Sequence, residues 1–233
     1  MERLQRDADL AALRRTVSWM GDLVVERLTL AVRSLVDRDP DAARLVIERD
    51  REIDELQVQV DERALFLLAL QSPEAGDLRF VVATIKANAD LERLGDQAVN
   101  IAESALHLME RPPLPQMILI GTMAQRALAM VRDGLTAFLD RNSPVAREVL
   151  RQDDEVDAMK NRVLSMVLDQ MTRDASTIAR GMELVIVSRC LERIADHATN
   201  MAEDAIFLVE ALDVRHRRSD QRNPGMEAAG GES

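Results

Sequence analysis

The sequence predicts an all-α chain made of two tandem three-helix bundle repeats, and three observations carry that reading. Apolar residues recur at helical spacing through most of the chain; glycine and proline are scarce, at 9 and 7 of 233 residues; and the second half repeats the pattern of the first. Aromatic residues make up 2% and tyrosine is absent, so the core must be aliphatic, with twelve methionines as adaptable filler.

Six helical segments follow in order. The first spans about residues 9–37, with Leu13, Val17, Met20, Val24 and Ala31 on one stripe. Asp39 followed by Pro40 reads as an N-cap with proline at the first helical position, opening a second helix to about residue 71. Ser72 and Pro73 break it, and a third helix runs from about 75 to 110. Residues 111–115, Arg-Pro-Pro-Leu-Pro, cannot continue a helix and mark the midpoint. The fourth helix carries Ile120, Ala124, Ala127, Val131 and Phe138. Ser143 then Pro144 repeats the cap-and-proline start, opening a fifth helix to about residue 173, and the sixth runs from about 176 to 211. From Asp213 onward almost nothing is apolar, which predicts a disordered tail.

Comparison of the halves gives the strongest signal. Residues 90–103, DLERLGDQAVNIAE, align with 190–203, CLERIADHATNMAE, with eight of fourteen positions identical. Chance would give about one at ordinary residue frequencies. The apolar stripe agrees too: Leu91, Leu94, Ala98 and Ile101 match Leu191, Ile194, Ala198 and Met201. In the second helices Asp50, Ile53 and Asp54 face Asp153, Val156 and Asp157. The division is therefore into repeat 1 at residues 1–111, repeat 2 at 112–212 and a tail at 213–233.

A formal charge of −11, with Arg215, Arg217 and Arg218 as the one basic cluster, repels nucleic acid, and the shortage of aromatics removes stacking platforms for single strands. The single cysteine, Cys190, has no internal disulfide partner, and its surroundings favour a structural thiol. The N-terminus is charged where a signal peptide would be apolar, so a reducing, cytoplasmic compartment is expected. The longest apolar run, Ala64 to Leu70, is far short of the roughly 20 residues that span a bilayer, so direct membrane insertion is not expected.

Each half holds two acidic pairs at i, i+4: Asp50 with Asp54 and Glu92 with Asp96, then Asp153 with Asp157 and Glu192 with Asp196. Asn100 and Asn200 extend the second pair of each half by four residues. Such carboxylates are hard oxygen ligands for cations such as Mg²⁺, Mn²⁺, Ca²⁺ or iron. The bland alternative is a solvated face, since 41 acidic residues in 233 give about seven such pairs by chance, and Glu92 and Asp96 point away from the apolar stripe. Recurrence at equivalent places in both halves is what favours ligation. Arg93 and Arg193 read as salt-bridging residues, and the three histidines, His107, His197 and His216, show no duplicated placement. A ferritin-like centre needs Glu-x-x-His, but Ser104, Ile194 and Asp213 precede the histidines by three; glycine-rich phosphate loops and HExxH motifs are absent. No enzymatic activity is expected.

The residues Glu92, Arg93, Leu94, Gly95, Asp96 and Asn100, repeated as Glu192, Arg193, Ile194, Ala195, Asp196 and Asn200, resemble the twice-used Glu-Arg-Ile-Gly-Asp-x-x-x-Asn signature of the PhoU family of phosphate-signalling proteins. The Asp77, Leu78, Arg79 step also looks like the family's, and the resemblance covers about residues 10–212. It implies a PhoU-like six-helix architecture with two multinuclear metal clusters, of iron, zinc, manganese or magnesium. Their ligands would be Asp50, Asp54, Glu92 and Asp96 in one, and Asp153, Asp157, Glu192 and Asp196 in the other. It further implies a cytoplasmic, commonly homodimeric adaptor. Such an adaptor restrains phosphate uptake and the starvation response when phosphate is plentiful, acting on the ATPase subunit of the phosphate ABC transporter and on a membrane sensor histidine kinase. The sequence departs from the signature at Leu94 and at Ala195, whose methyl would crowd the second site slightly. Two other classes compete with the adaptor: a metal-dependent phosphate-handling hydrolase, and a purely structural helical interaction module.

Overall fold

The structure is a computed structural model that describes residues 2–70 and 74–214. The order is α1 (Glu2–Asp37), α2 (Pro40–Glu48), α3 (Arg51–Leu70), α4 (Ala75–Met109), α5 (Met117–Leu139), α6 (Ser143–Arg173) and α7 (Ile178–Glu210), with one 3₁₀ turn at Ala175–Thr177. Among the described residues there is no strand. The first unit packs α1, α2, α3 and α4; the second packs α5, α6 and α7. The units meet mainly along α4 and α7, with α1 touching α5. One continuous aliphatic core runs through both units, and every stripe residue named above is buried. Burial of a core leucine or valine stabilises by about 1.5–3 kcal/mol, so this shared core holds the two units as one body.

Three sequence expectations are corrected. The first helix begins at Glu2, about two turns before residue 9. The second helix is broken at Arg49 and Asp50, where a turn separates α2 from α3, while its counterpart α6 is continuous. Nothing from Glu48 to Arg51 is a helix breaker, and the structure offers no local chemical reason for the kink. The cap of α6 is Asn142, whose side-chain oxygen accepts from the Val145 N–H at 3.2 Å, with Ser143 already helical. Asn142 is the true counterpart of Asp39, whose carboxylate accepts from the Asp41 and Ala42 N–H groups. The residue before each cap, Arg38 or Arg141, has φ near +55° (56° and 54°), so the duplication extends to backbone conformation.

The proposed break at Ser72 and Pro73 lies outside the described residues, as do Arg215, His216, Arg217, Arg218 and the tail from residue 215. The proline-rich midpoint is non-helical, as expected, and is held by Arg38, which donates to the Met109 and Arg111 carbonyls at 2.8 Å. Arg180 from α7 donates to the Pro112 carbonyl. Among the described residues no helix is long and apolar enough to cross a membrane. Cys190 is buried, as read, and burial pushes its thiol up to about 11.

Candidate functional site

The duplicated motif sits where the last two helices of each unit cross. In the first unit the crossing is made by Gly95 of α4 against Ile53 of α3: a β-carbon at position 95 would lie 3.0 Å from the Ile53 Cδ1. That contact decides the chemistry around it. Ile53 is flanked by Asp50 and Asp54, and Gly95 by Glu92 and Asp96, so close approach at a residue without a side chain brings the carboxylates of the two segments near enough to feel one another's charge. In the second unit Val156 and Ala195 take the two buried positions, flanked by Asp153 and Asp157 and by Glu192 and Asp196. Ala195 brings an extra methyl, and Val156 is one methyl shorter than Ile53. The methyl gained at Ala195 and the one lost at Val156 are thus volume changes of opposite sign at the two buried positions that correspond to Gly95 and Ile53.

The carboxylates within each quartet feel one another. Asp50 is held above the ordinary carboxylate range, first by partial burial and then by the charges of Asp54 and Asp96. Glu92 is raised by burial and by Asp96, Asp54 and Asp50, against a lowering pull from Arg93. In the second unit Asp196 is pushed up to about 6 by burial and by Glu192, Asp153 and Asp157, with His197 pulling the other way. These shifts mark negative charge concentrated where water is partly excluded. Glu92 is half-buried and coupled to α3, so it belongs to an inter-helix cluster and not to an ordinary solvated face.

Cationic side chains meet the two quartets differently. Arg93 lies 3.5 Å from both Glu92 and Asp96 along the outside of α4. Lys160 of α6 spans the second quartet, with its Nζ 2.7 Å from Glu192 and 3.4 Å from Asp157. The Glu192 hydrogen bond is the main reason the Lys160 ammonium is held above its usual range.

Between the units α4 and α7 leave an open, polar groove of about 900 Å³. Asp50, Asp96 and Asn100 line it from the first unit, and Asp196, His197 and Asn200 from the second. A link that the sequence did not announce holds two of its lining residues: Asp90, aligned with Cys190, takes the His197 Nδ1 at 2.7 Å and the Asn200 Nδ2 at 2.9 Å on one oxygen. His197 is therefore a half-buried bridge between repeats. The pairing of a carboxylate with an unduplicated histidine, each filling the place of a different residue in the other repeat, was the signal available for it.

The quartets suit an all-oxygen cation site in donor type and charge. Among the described residues no three acidic, histidine or cysteine groups already stand at the spacing of a closed metal site. Ligation would therefore require rotation of side chains, which the exposed Asp54 and half-buried Asp96 have room to make.

A family model described as "PhoU domain" matches residues 17–105 and again 120–205. A Pseudomonas putida protein named phosphate-specific transport system accessory protein PhoU homolog is 34% identical over 91% of this chain and 83% of its own length. An Aquifex aeolicus protein of the same name is 37% identical over 92% of this chain and 97% of its own. The crystal structure of PhoU from Pseudomonas aeruginosa superimposes with a TM-score of 0.86 at 33% identity, covering 88% of this chain and 99% of that one.

Proposed function

Since the chain belongs to the PhoU family, with the domain present twice, we propose that it is a regulatory accessory protein of phosphate transport whose two carboxylate quartets bind metal. The observation that carries this reading is the duplicated quartet: acidic side chains flank the same pair of buried positions in both repeats, with raised proton affinity at Asp50, Glu92 and Asp196. A bound cation would neutralise that charge and tie the last two helices of each unit together. In the first unit Asp50 would supply oxygens from the turn before α3, Asp54 from α3, and Glu92 and Asp96 from α4. In the second, Asp153 and Asp157 would do so from α6, and Glu192 and Asp196 from α7. Asn100 and Asn200 sit one turn farther along the groove and would add amide oxygens.

The relatives' names place them with the phosphate-specific transport system. In this chain the proposed partners are the ATPase subunit of the phosphate ABC transporter and a membrane sensor histidine kinase, with a second copy forming a homodimer. Cytoplasmic residence follows from those partners. The role is inhibitory: the metal-loaded bundle restrains uptake and the starvation response when phosphate is abundant. Rigidity favours such docking, because a surface already ordered loses less entropy on binding.

The test is a phosphate-starvation reporter in cells lacking the chain's gene, complemented with the wild type or with Glu92, Asp96, Glu192 and Asp196 changed to amides. The wild type should repress the reporter in phosphate-rich medium and the amide variant should not, and ATPase subunit and kinase should co-purify only with the wild type. Full repression by a stably folded amide variant would remove the metal from the mechanism. Repression by neither form would remove the adaptor role itself.

A further inference from the structure

The two quartets differ at one residue that faces both of their helices in the second unit. By the spacing that aligns Asp50 with Asp153 and Asp54 with Asp157, Lys160 corresponds to Gln57. Lys160 reaches from α6 to Glu192 on α7 at 2.7 Å and holds Asp157 at 3.4 Å, so one ammonium bridges one carboxylate from each helix. The first unit has a neutral glutamine at that place. Among the described residues neither Asp50 nor Asp54 forms an ion pair with a lysine or arginine, and Arg93, which pairs with Glu92 and Asp96, is largely exposed and touches only carboxylates of its own helix.

We propose that Lys160 is a built-in cation of the second quartet, so that the two sites bind metal unequally: the first fills at low metal concentration, and the second fills only when metal displaces the lysine. An ammonium and a hard metal ion make the same demand on a carboxylate, a lone pair and a compensating charge. Glu192 cannot give the same oxygen to both. Lys160 already performs in the second unit the cross-link that a metal ion would supply in the first, which leaves the pair of repeats with one clasp that is present without metal and one that depends on it. This inference rests on the proposal that the quartets bind metal.

The experiment is Mn²⁺ titration of the chelator-stripped full chain, read by loss of the free Mn²⁺ electron paramagnetic resonance signal, with thermal melting to verify folding. Wild type should show a tight class of sites that disappears in Asp50→Asn with Asp54→Asn, and a weaker class that disappears in Asp153→Asn with Asp157→Asn. Lys160→Gln should tighten the weaker class by about tenfold or more, the scale on which partners of metal ligands alter affinity. Gln57→Lys, the reciprocal change, should weaken the tight class by a similar factor. Equal affinity of the two classes in wild type, or a second class unmoved by Lys160→Gln, would overturn the role of Lys160 while leaving metal binding intact. No Mn²⁺ bound by any form would overturn both.

Discussion

The packing at Gly95 can be turned into a stability experiment with a definite sign. Gly95→Ala places a methyl 3.0 Å from the Ile53 Cδ1 and 3.4 Å from its Cγ2. Alanine should gain about 1 kcal/mol over glycine in a helix interior. Forcing a methyl into a filled contact typically costs about 1–3 kcal/mol. The balance expected for Gly95→Ala is a net loss of about 1 kcal/mol. Ile53→Val alone should cost about 0.5–1.5 kcal/mol as a core truncation. Together the two changes reproduce the Ala195–Val156 pair of the second repeat: the nearest atom, Cδ1, is gone, and the helix gain of alanine remains. The double variant should therefore be more stable than the sum of the single changes by about 1–2 kcal/mol, well beyond the roughly 0.5 kcal/mol scatter of independent sites. Equilibrium urea unfolding of the four proteins, with the slope checked for constancy, measures this coupling. Additive single effects would refute the claim that the Gly95–Ile53 contact fixes the spacing of the quartet, and with it the explanation of why the second repeat tolerates alanine.

Three further outcomes are expected. The Asp196 carboxyl is pushed up to about 6 in the folded chain, so the native state holds its proton more tightly than the unfolded state does; stability from this group is present below about pH 4 and lost as pH rises through about 6. Asp196→Asn should flatten that part of the melting-temperature profile in chelator and raise the melting point at pH 7, whereas an unchanged profile would show that Asp196 titrates normally. At Gly134 a β-carbon would meet the Ala198 carbonyl oxygen at 2.9 Å, a backbone atom that cannot swing aside, so Gly134→Ala should destabilise by about 2 kcal/mol on urea unfolding; a neutral result would mean that α5 and α7 can part without cost. Phe138 is fully buried and stacks on Phe80, with centroids 6.4 Å apart, so Phe138→Ala should cost about 3–5 kcal/mol in the same assay. A loss below about 1 kcal/mol would show that the core there collapses freely.

Much of this architecture was legible because it is periodic or duplicated. The stripes of Leu91, Leu94 and Ala98 and of their partners a hundred residues later fix which face of each third helix is buried, and the chain's repetition fixes that the acidic pairs occur twice. What escaped the sequence depends on contacts between helices distant in the chain. Glu92 looks like a surface residue on its own helical wheel and becomes half-buried only because α3 crosses at Gly95. Asp90 and His197 are 107 positions apart and meet only through the packing of α4 on α7. Lys160 is one of many charged residues along α6 until Glu192 is placed opposite it. The kink at Arg49 and Asp50 has no breaker to announce it, and Pro144 points to Ser143 as the cap of α6 although Asn142 serves as it.

If the duplicated quartets are metal ligands, the purified protein carries metal that elemental analysis detects. Protein purified without affinity-resin metal or chelator is compared with the variant carrying amides at positions 92, 96, 192 and 196. Metal in stoichiometric or greater amount in the wild type and its absence from a folded variant is the predicted result. Equal metal content in the two, or none in either, would contradict it and reduce the quartets to coupled acidic faces.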